Sequence, residues 1–510
     1  MRTELKALLA AALIVYVTGI DWGLPWLWAP DELAPGYILD SIAMRFVGGW
    51  HDKYPPVQYY LDALVCLPFV AASRLGWVEL TSFGAQTLML FLMRLLSVAM
   101  ALGTLVAIHR TADDLYGRRA AFAAALLAGF TPTVVFYAKL ANVDAPALFW
   151  FAWALRFYVR LVLGGPGGGG RAYFGYALTA VTAIATKDQM GGFFVLPSLH
   201  LAWIAWQRRE WRPLLSAAAA SLVLLVFELG IPFNLEGFKS HIEIVTGEAS
   251  QPYRLHGTTW TRQTAVAMLT VQLTAWSMTW VGAAAAVAGV LLEIRRRRYP
   301  WLLLPAVSYY LFFLVVAGYV YDRFVVGLGF VLAIFAGGWI DDFLRDGAPW
   351  RRWRVALCTA GAAFVVWTGV SMDVMMLLDS RYEASRWMES HRAGSNVALV
   401  GFSPYLPYIH GGIRLKDGPD KFEPADQPKY IIVNAEVLRR EFLPPVERQW
   451  QRWLDGGRSP YVVAARFHTA PAASFLTYTS PFRNGVEDLT TNLDKVGPEI
   501  VIYWRPGVLR

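Results

Sequence analysis

Apolar runs of about the twenty residues needed to cross a bilayer recur along this chain. They fall near 6–25, 88–109, 120–138, 146–163, 172–187, 190–206, 213–231, 265–293, 300–318, 324–343 and 355–374. Charged residues collect in the connectors, which alternate in character. Arg110, Arg118 and Arg119, then Arg171, then Arg208, Arg209 and Arg212, then Arg295 to Arg298, and then Arg345 to Arg354 occupy every second connector. Loops rich in arginine stay on the cytoplasmic side, so the pattern predicts eleven spans, the N-terminus inside and everything after about 375 outside. Residues 57–75 are apolar enough to raise a twelfth span, but a crossing there would turn every later arginine cluster outward. With Asp62 inside the run, 57–75 reads as a helix lying along the outer surface.

From about Asp379 the pattern changes. Asp379 and Ser380 can cap a helix through about Ser390. Short β-type runs follow at 396–400, 429–433, 461–465 and 499–503, separated by Pro- and Gly-rich stretches. The fold class expected is therefore mainly α and polytopic, with a transmembrane domain over 1–375 and a small extracytoplasmic α/β domain over 376–510. The apolar run after Met1 has no small-residue cleavage site behind it and reads as an uncleaved first span. The glycine-rich segment 164–170 lacks the Lys-Ser/Thr ending of a phosphate loop and reads as a linker.

Composition agrees with this reading. Of 510 residues 56% are hydrophobic and only 16% charged, against about one quarter charged in an average soluble domain. The net charge of +8 belongs to the arginine clusters, and no basic face interleaved with aromatics marks a nucleic-acid binder. Two distant cysteines, Cys66 and Cys358, argue against a disulfide framework. His51, His241 and His256, with Glu243 or Glu248, have no metal-ligand spacing, so no metal is expected.

Chemistry gathers on the other set of connectors. The first holds Asp31, Glu32, His51, Asp52 and Lys53; the second, Lys139, Asn142 and Asp144; the third, Lys187; the fourth, residues 232–264 with His241, Arg254 and His256; the fifth, Tyr319, Tyr321, Asp322 and Arg323. Ionisable groups are costly within a bilayer, and their convergence on one face points to interfacial chemistry.

In order, Pro30-Asp31-Glu32, Lys53-Tyr54-Pro55-Pro56 with Tyr59 and Tyr60, Arg94, Leu115 to Arg119, Ala141 to Pro146, Thr186-Lys187 and Tyr321-Asp322-Arg323-Phe324 resemble the motifs of GT-C class membrane glycosyltransferases. The bacterial protein-mannosyltransferase-like and lipid A aminoarabinose transferase-like enzymes are the nearest in pattern. Two departures stand out: Tyr54 separates Lys53 from the prolines, and the usual proline after Arg323-Phe324 is missing. The resemblance implies a polyprenyl-phosphate sugar donor and a protein, lipid or glycan acceptor. It also implies inverting transfer outside the cytoplasmic membrane, without nucleotide sugar or cofactor.

It further implies that Asp31 is the base; the alternative is that Pro30-Asp31-Glu32 opens an interfacial helix. Glu32 is expected to position or hydrogen-bond, and Asp144 to be a second acid or a helix cap. Lys53, Lys187 and Arg323 are candidates for the departing phosphate, with snorkelling as the bland alternative. Tyr59, Tyr60 and Tyr321 either line the sugar and lipid path or anchor in the headgroup belt. Lys139 reads as a snorkelling residue. For Arg94, bundle packing and donor contact are both open. The rival function is a transporter or flippase of lipid-linked sugars, a class marked by paired repeats and broken helices; the sequence displays neither.

Overall fold

The computed structural model describes residues 3–506 except 30, 48–52, 165–168, 248–253, 255, 346, 348, 392–395, 402, 416–417, 420–427, 436–444, 457–458, 473–490 and 494–495. His51, Asp52, Glu248, Tyr253 and most of the glycine-rich linker lie outside the described residues. The chain divides into two compact units, one of residues 1–20 and 31–370, the other of 21–30 and 371–510.

The first unit is helical. Its helices are α1 (Thr3–Val17), α2 (Pro35–Ala43), α3 (Val57–Arg74), α4 (Phe83–Tyr116), α5 (Arg118–Gly129), α6 (Pro132–Ala138), α7 (Asp144–Leu163), α8 (Gly170–Thr186), α9 (Val195–Arg208), α10 (Trp211–Glu228), α11 (Leu235–Thr246), α12 (Trp260–Ser277), α13 (Thr279–Arg296), α14 (Pro300–Ala317), α15 (Asp322–Phe343) and α16 (Arg351–Leu377). Among the described residues six helices are long and apolar enough to cross a membrane, or eight if two bent pairs each count as one span. The apolar runs at 6–25, 172–187 and 190–206 form helices of 15, 17 and 14 residues, shorter than the roughly twenty of a full crossing. The helix at 57–75 forms as expected and is not among the six. The two bent pairs, α5 with α6 at 70° and α12 with α13 at 115°, are breaks that apolar periodicity did not reveal.

The most enclosed of the six is α15. Its glycines let neighbours touch backbone: a Cβ on Gly337 would meet Ala120 O of α5 at 2.4 Å. Small residues at crossings are how helices pack where lipid supplies no hydrophobic drive. The 22 residues of α15 span about 33 Å, roughly the hydrocarbon thickness. Arg323 stands at its first end; at its last, Asp342 accepts from Arg296 at 2.8 Å and pairs with Arg345. The arginine clusters and the acidic connectors thus occupy opposite ends of one membrane-length helix.

The second unit is a five-stranded sheet ordered β2-β1-β3-β5-β4: β1 (Val397–Val400), β2 (Ile413–Arg414), β3 (Tyr430–Asn434), β4 (Val462–Phe467) and β5 (Ile500–Trp504). The first three strands are parallel and the last two pair antiparallel. Strand alternation sends Ala398, Ile431 and Val501 to one face, under Trp450 of α18 (Pro445–Asp455). It sends Val397, Ile432 and Ile502 to the other, under Ala384 and Met388 of α17 (Ser380–His391). The expected α/β domain is present, with two-residue β2 too short to have been read. Residues 21–30 are the surprise. Arg381 forks onto Asp379 at 2.6 and 2.9 Å and lies over the rings of Trp28 and Trp22 at 4.3 and 5.1 Å. Trp22 Nε1 donates to Asp379 at 3.0 Å, and Gly23, at φ +64°, faces the Trp28 ring where a side chain could not fit.

Candidate active site

Five segments of the first unit meet at one cluster. Asp31 lies just ahead of α2, Lys53 ahead of α3, Asp144 opens α7, and Arg323 is the second residue of α15. Lys187 follows α8 in an extended conformation. Local chemistry fixes two of these. Asn142 Oδ1 accepts the Asp144 N–H at 3.1 Å while its amide donates to Asp144 Oδ2 at 3.1 Å, a tight turn that aims the carboxylate. Asp322 accepts the Arg323 N–H at 2.6 Å and the Tyr137 hydroxyl at 3.3 Å, anchoring the start of α15.

Between them runs a chain of charge. Lys53 Nζ lies 2.5 Å from Asp31 Oδ1, and Arg323 Nη1 is 2.7 Å from Asp31 Oδ2 and 3.5 Å from Asp144 Oδ2. Lys187 Nζ bonds the other oxygen of Asp144. Asp144 and Lys187 are buried, while Asp31 and Lys53 retain access to solvent. Arg323 rests over Tyr321 at 5.1 Å and Phe324 at 5.7 Å. Its buried Nε has no hydrogen-bond partner among the described residues, an open donor at the heart of the cluster. Burial draws the Lys187 ammonium down to about 8, with Asp144 pulling the other way. Burial, and after it the Asp31 carboxylate, raises the Tyr54 phenol well above its ordinary value.

Asp31, Asp144, Lys53, Lys187 and Arg323 are therefore together, with Tyr321 packed behind Arg323. Tyr59 is buried within electrostatic reach of Tyr54. Tyr60 packs edge-on against Phe46, in the turn after α2, at 4.9 Å. Glu32, expected to position or hydrogen-bond, engages Arg94 behind the charge cluster. Both its oxygens face Arg94, at 2.6 and 2.8 Å, and Oε1 also accepts the Ala141 N–H at 2.9 Å. Neither side chain of that pair reaches solvent. Leu33 N–H donates to Ala141 O at 2.7 Å, so the Asp31 loop and the Asp144 loop are clipped together behind the charges. Arg94 thereby acquires a definite partner. Lys139 donates to Val15 O and Thr18 O at 3.0 and 2.7 Å, closing the carbonyl end of α1 rather than entering the site.

Sequence reasoning treated Tyr54 only as a spacer, placed Asp322 in the fifth connector without a role, and gave Tyr137 none. Among the described residues no three His, Cys, Asp or Glu side chains gather as a metal site. A cavity of about 1200 Å³ lies at the far end, beside Arg118, Arg119, Phe343 and Leu344, away from these charges.

Residues 83–231 match the family described as dolichyl-phosphate-mannose-protein mannosyltransferase, a stretch that holds Asp144 and Lys187. No curated protein matches the sequence. Among solved structures, ArnT from Cupriavidus metallidurans in its apo state is similar at 14% identity and TM-score 0.48, over 85% of this chain and 93% of that one. The same enzyme bound to undecaprenyl phosphate gives 14% and 0.46 over the same shares. The archaeal oligosaccharyltransferase AglB from Archaeoglobus fulgidus, in complex with an inhibitory peptide and a dolichol-phosphate, gives 12% and 0.46 over 85% and 69%. This chain is a multi-pass membrane protein whose residues 83–231 are similar to the dolichyl-phosphate-mannose-protein mannosyltransferase family.

Proposed function

We propose that the protein transfers a sugar from a polyprenyl phosphate to a hydroxyl-bearing protein, lipid or glycan on the extracytoplasmic face of the cytoplasmic membrane, with inversion. The observation that carries this reading is the convergence of Asp31 with Lys53, Lys187 and Arg323 from four distant segments. A leaving phosphate needs cations placed where its charge develops, and an attacking hydroxyl needs a base.

In the donor-free protein both oxygens of Asp31 are committed, one to Lys53 and one to Arg323. An arriving phosphate competes for those two cations and releases the carboxylate. Asp31 then takes the acceptor proton, the acceptor oxygen bonds the anomeric carbon, and the bond from that carbon to the phosphate oxygen breaks. The electron pair leaves on the phosphate, toward Arg323 Nε and Lys187. Asp144 serves this step by holding Lys187 and Arg323 in place, since its own oxygens are occupied by Lys187, Asn142 and Arg323. The side chains supply the charge that the step requires, so the proposal includes no cofactor.

The extracytoplasmic assignment is supported by the opposite placement of the arginine clusters along α15. The deciding experiment is transfer by the reconstituted protein from a panel of polyprenyl-phosphate sugars, comparing wild type with Asp31→Asn. A loss of about 10²–10⁴ in turnover is expected for removal of a general base. Equal turnover by the variant removes Asp31 from that role, and lipid movement without transfer favours a flippase.

A further inference from the structure

Lys187 sits between α8 and a 3-10 turn over Asp188–Phe193, at φ −158° and ψ 115°. Lys187 turns to Asp144, while Asp188 turns to His241 Nε2 at 3.0 Å. The imidazole belongs to α11, whose N-cap Asn234 accepts the Gly237 N–H at 2.8 Å. It is the buried residue of that helix, at 1% exposure; Leu235, Glu236, Lys239, Ile242, Glu243 and Val245 are all exposed. A helix that shows its charges and much of its aliphatic stripe to the surroundings thus buries one polar ring, and that ring meets the carboxylate beside the cation.

The inference rests on the reading of Lys187 as a phosphate partner. An anion one residue from such a cation has two harmful outlets: it can pair with the ammonium or repel the arriving phosphate. We propose that His241 is a positioning residue for this site: by engaging Asp188 it keeps that carboxylate on the far side of the chain, and Lys187 is left to Asp144 and the donor. His241 touches neither substrate nor reacting atoms. Its effect falls on donor affinity, not on the bond-making step.

The test uses the full-length protein in nanodiscs, with undecaprenyl phosphate as the binding probe and sugar transfer at saturating donor as the second readout. His241→Ala is expected to weaken probe binding about tenfold, the scale of one misplaced charge, with turnover at saturation nearly unchanged. His241→Gln keeps an N–H donor and is expected to bind as wild type does. The diagnostic variant is His241→Ala combined with Asp188→Asn, which removes the stray charge and is expected to recover affinity. A ring that only packs leaves that double variant as weak as His241→Ala, and this result overturns the proposal. Should His241→Ala fail to fold, Asp188→Asn alone decides, since it is expected to bind the probe at least as tightly as wild type; weaker binding overturns the proposal. Wild type that binds no lipid phosphate overturns the donor reading itself, a separate outcome.

Discussion

Arg323 Nη1 lies 2.7 Å from an oxygen of Asp31, and the same nitrogen is 3.5 Å from Asp144. One guanidinium therefore bridges the carboxylate proposed as base and the carboxylate that holds Lys187. Its planar fork leaves Nε free for a third group while Nη1 is engaged, which a single ammonium cannot reproduce.

Arg323→Lys is accordingly expected to lower kcat/KM by about 10²-fold or more, although charge is conserved. The check is steady-state transfer kinetics beside a thermal melt. A variant within threefold of wild type, at unchanged melting temperature, would assign the bridge to structure alone.

The Glu32–Arg94 pair calls for a different outcome. Neither side chain is exposed, so removing one partner strands a buried charge, at about 3–5 kcal/mol. Glu32→Gln and Arg94→Met are each expected to lower the melting temperature and folded yield. The double change Glu32→Gln with Arg94→Met is expected to recover much of the loss, because no ion is then left unpaired. Melting in detergent decides this, and single variants as stable as wild type would remove the clip from the account of how the two loops are held.

The same pair marks where sequence reading stops. Asp31 and Glu32 are neighbours of one chemical type, and composition gives them equal claims on the site. Their fates diverge because Arg94, 62 residues from Glu32, is buried behind the loop. A partner at that separation leaves no trace in local pattern, whereas the arginine alternation and the late β-type runs do, since each repeats a rule at every element. The tryptophans at 22, 26 and 28 acquire their partners in the same way: Trp22 and Trp28 stack on Arg381, and Trp26 lies 3.9 Å ring to ring on Tyr408. Tyr54, Tyr137 and Asp322 became site residues only once α6, α15 and the Lys53 loop were brought together.

The opposite ends of α15 make the proposed orientation testable. With Cys66 and Cys358 replaced by alanine, a single cysteine at the exposed position Glu243 is expected to react with an impermeant maleimide in intact cells. One at the exposed position Arg297 is expected to react only after permeabilisation. The reverse pattern would put the acidic cluster on the cytoplasmic side and sink the extracytoplasmic assignment.

The Lys187 ammonium makes donor affinity sensitive to pH in a predictable sense. Burial brings it to about 8, so in the donor-free protein it is mostly charged below that value and loses its proton as the pH rises through it. A phosphate anion prefers the charged form, and binding in turn pulls the proton back on. Apparent KM for the lipid-linked donor is therefore expected to rise above about pH 8, with kcat at saturating donor changing less, because bound phosphate restores the cation. Lys187→Arg keeps its charge across this range and is expected to flatten the rise, at some loss of absolute rate from the altered fit to Asp144. Transfer assays from pH 6.5 to 9.5 on both proteins, about 1.5 units either side of 8, make the comparison. A wild-type KM that stays level across pH 8, or the same rise in Lys187→Arg, would take Lys187 out of the phosphate site and leave Arg323 and Lys53 as its cations.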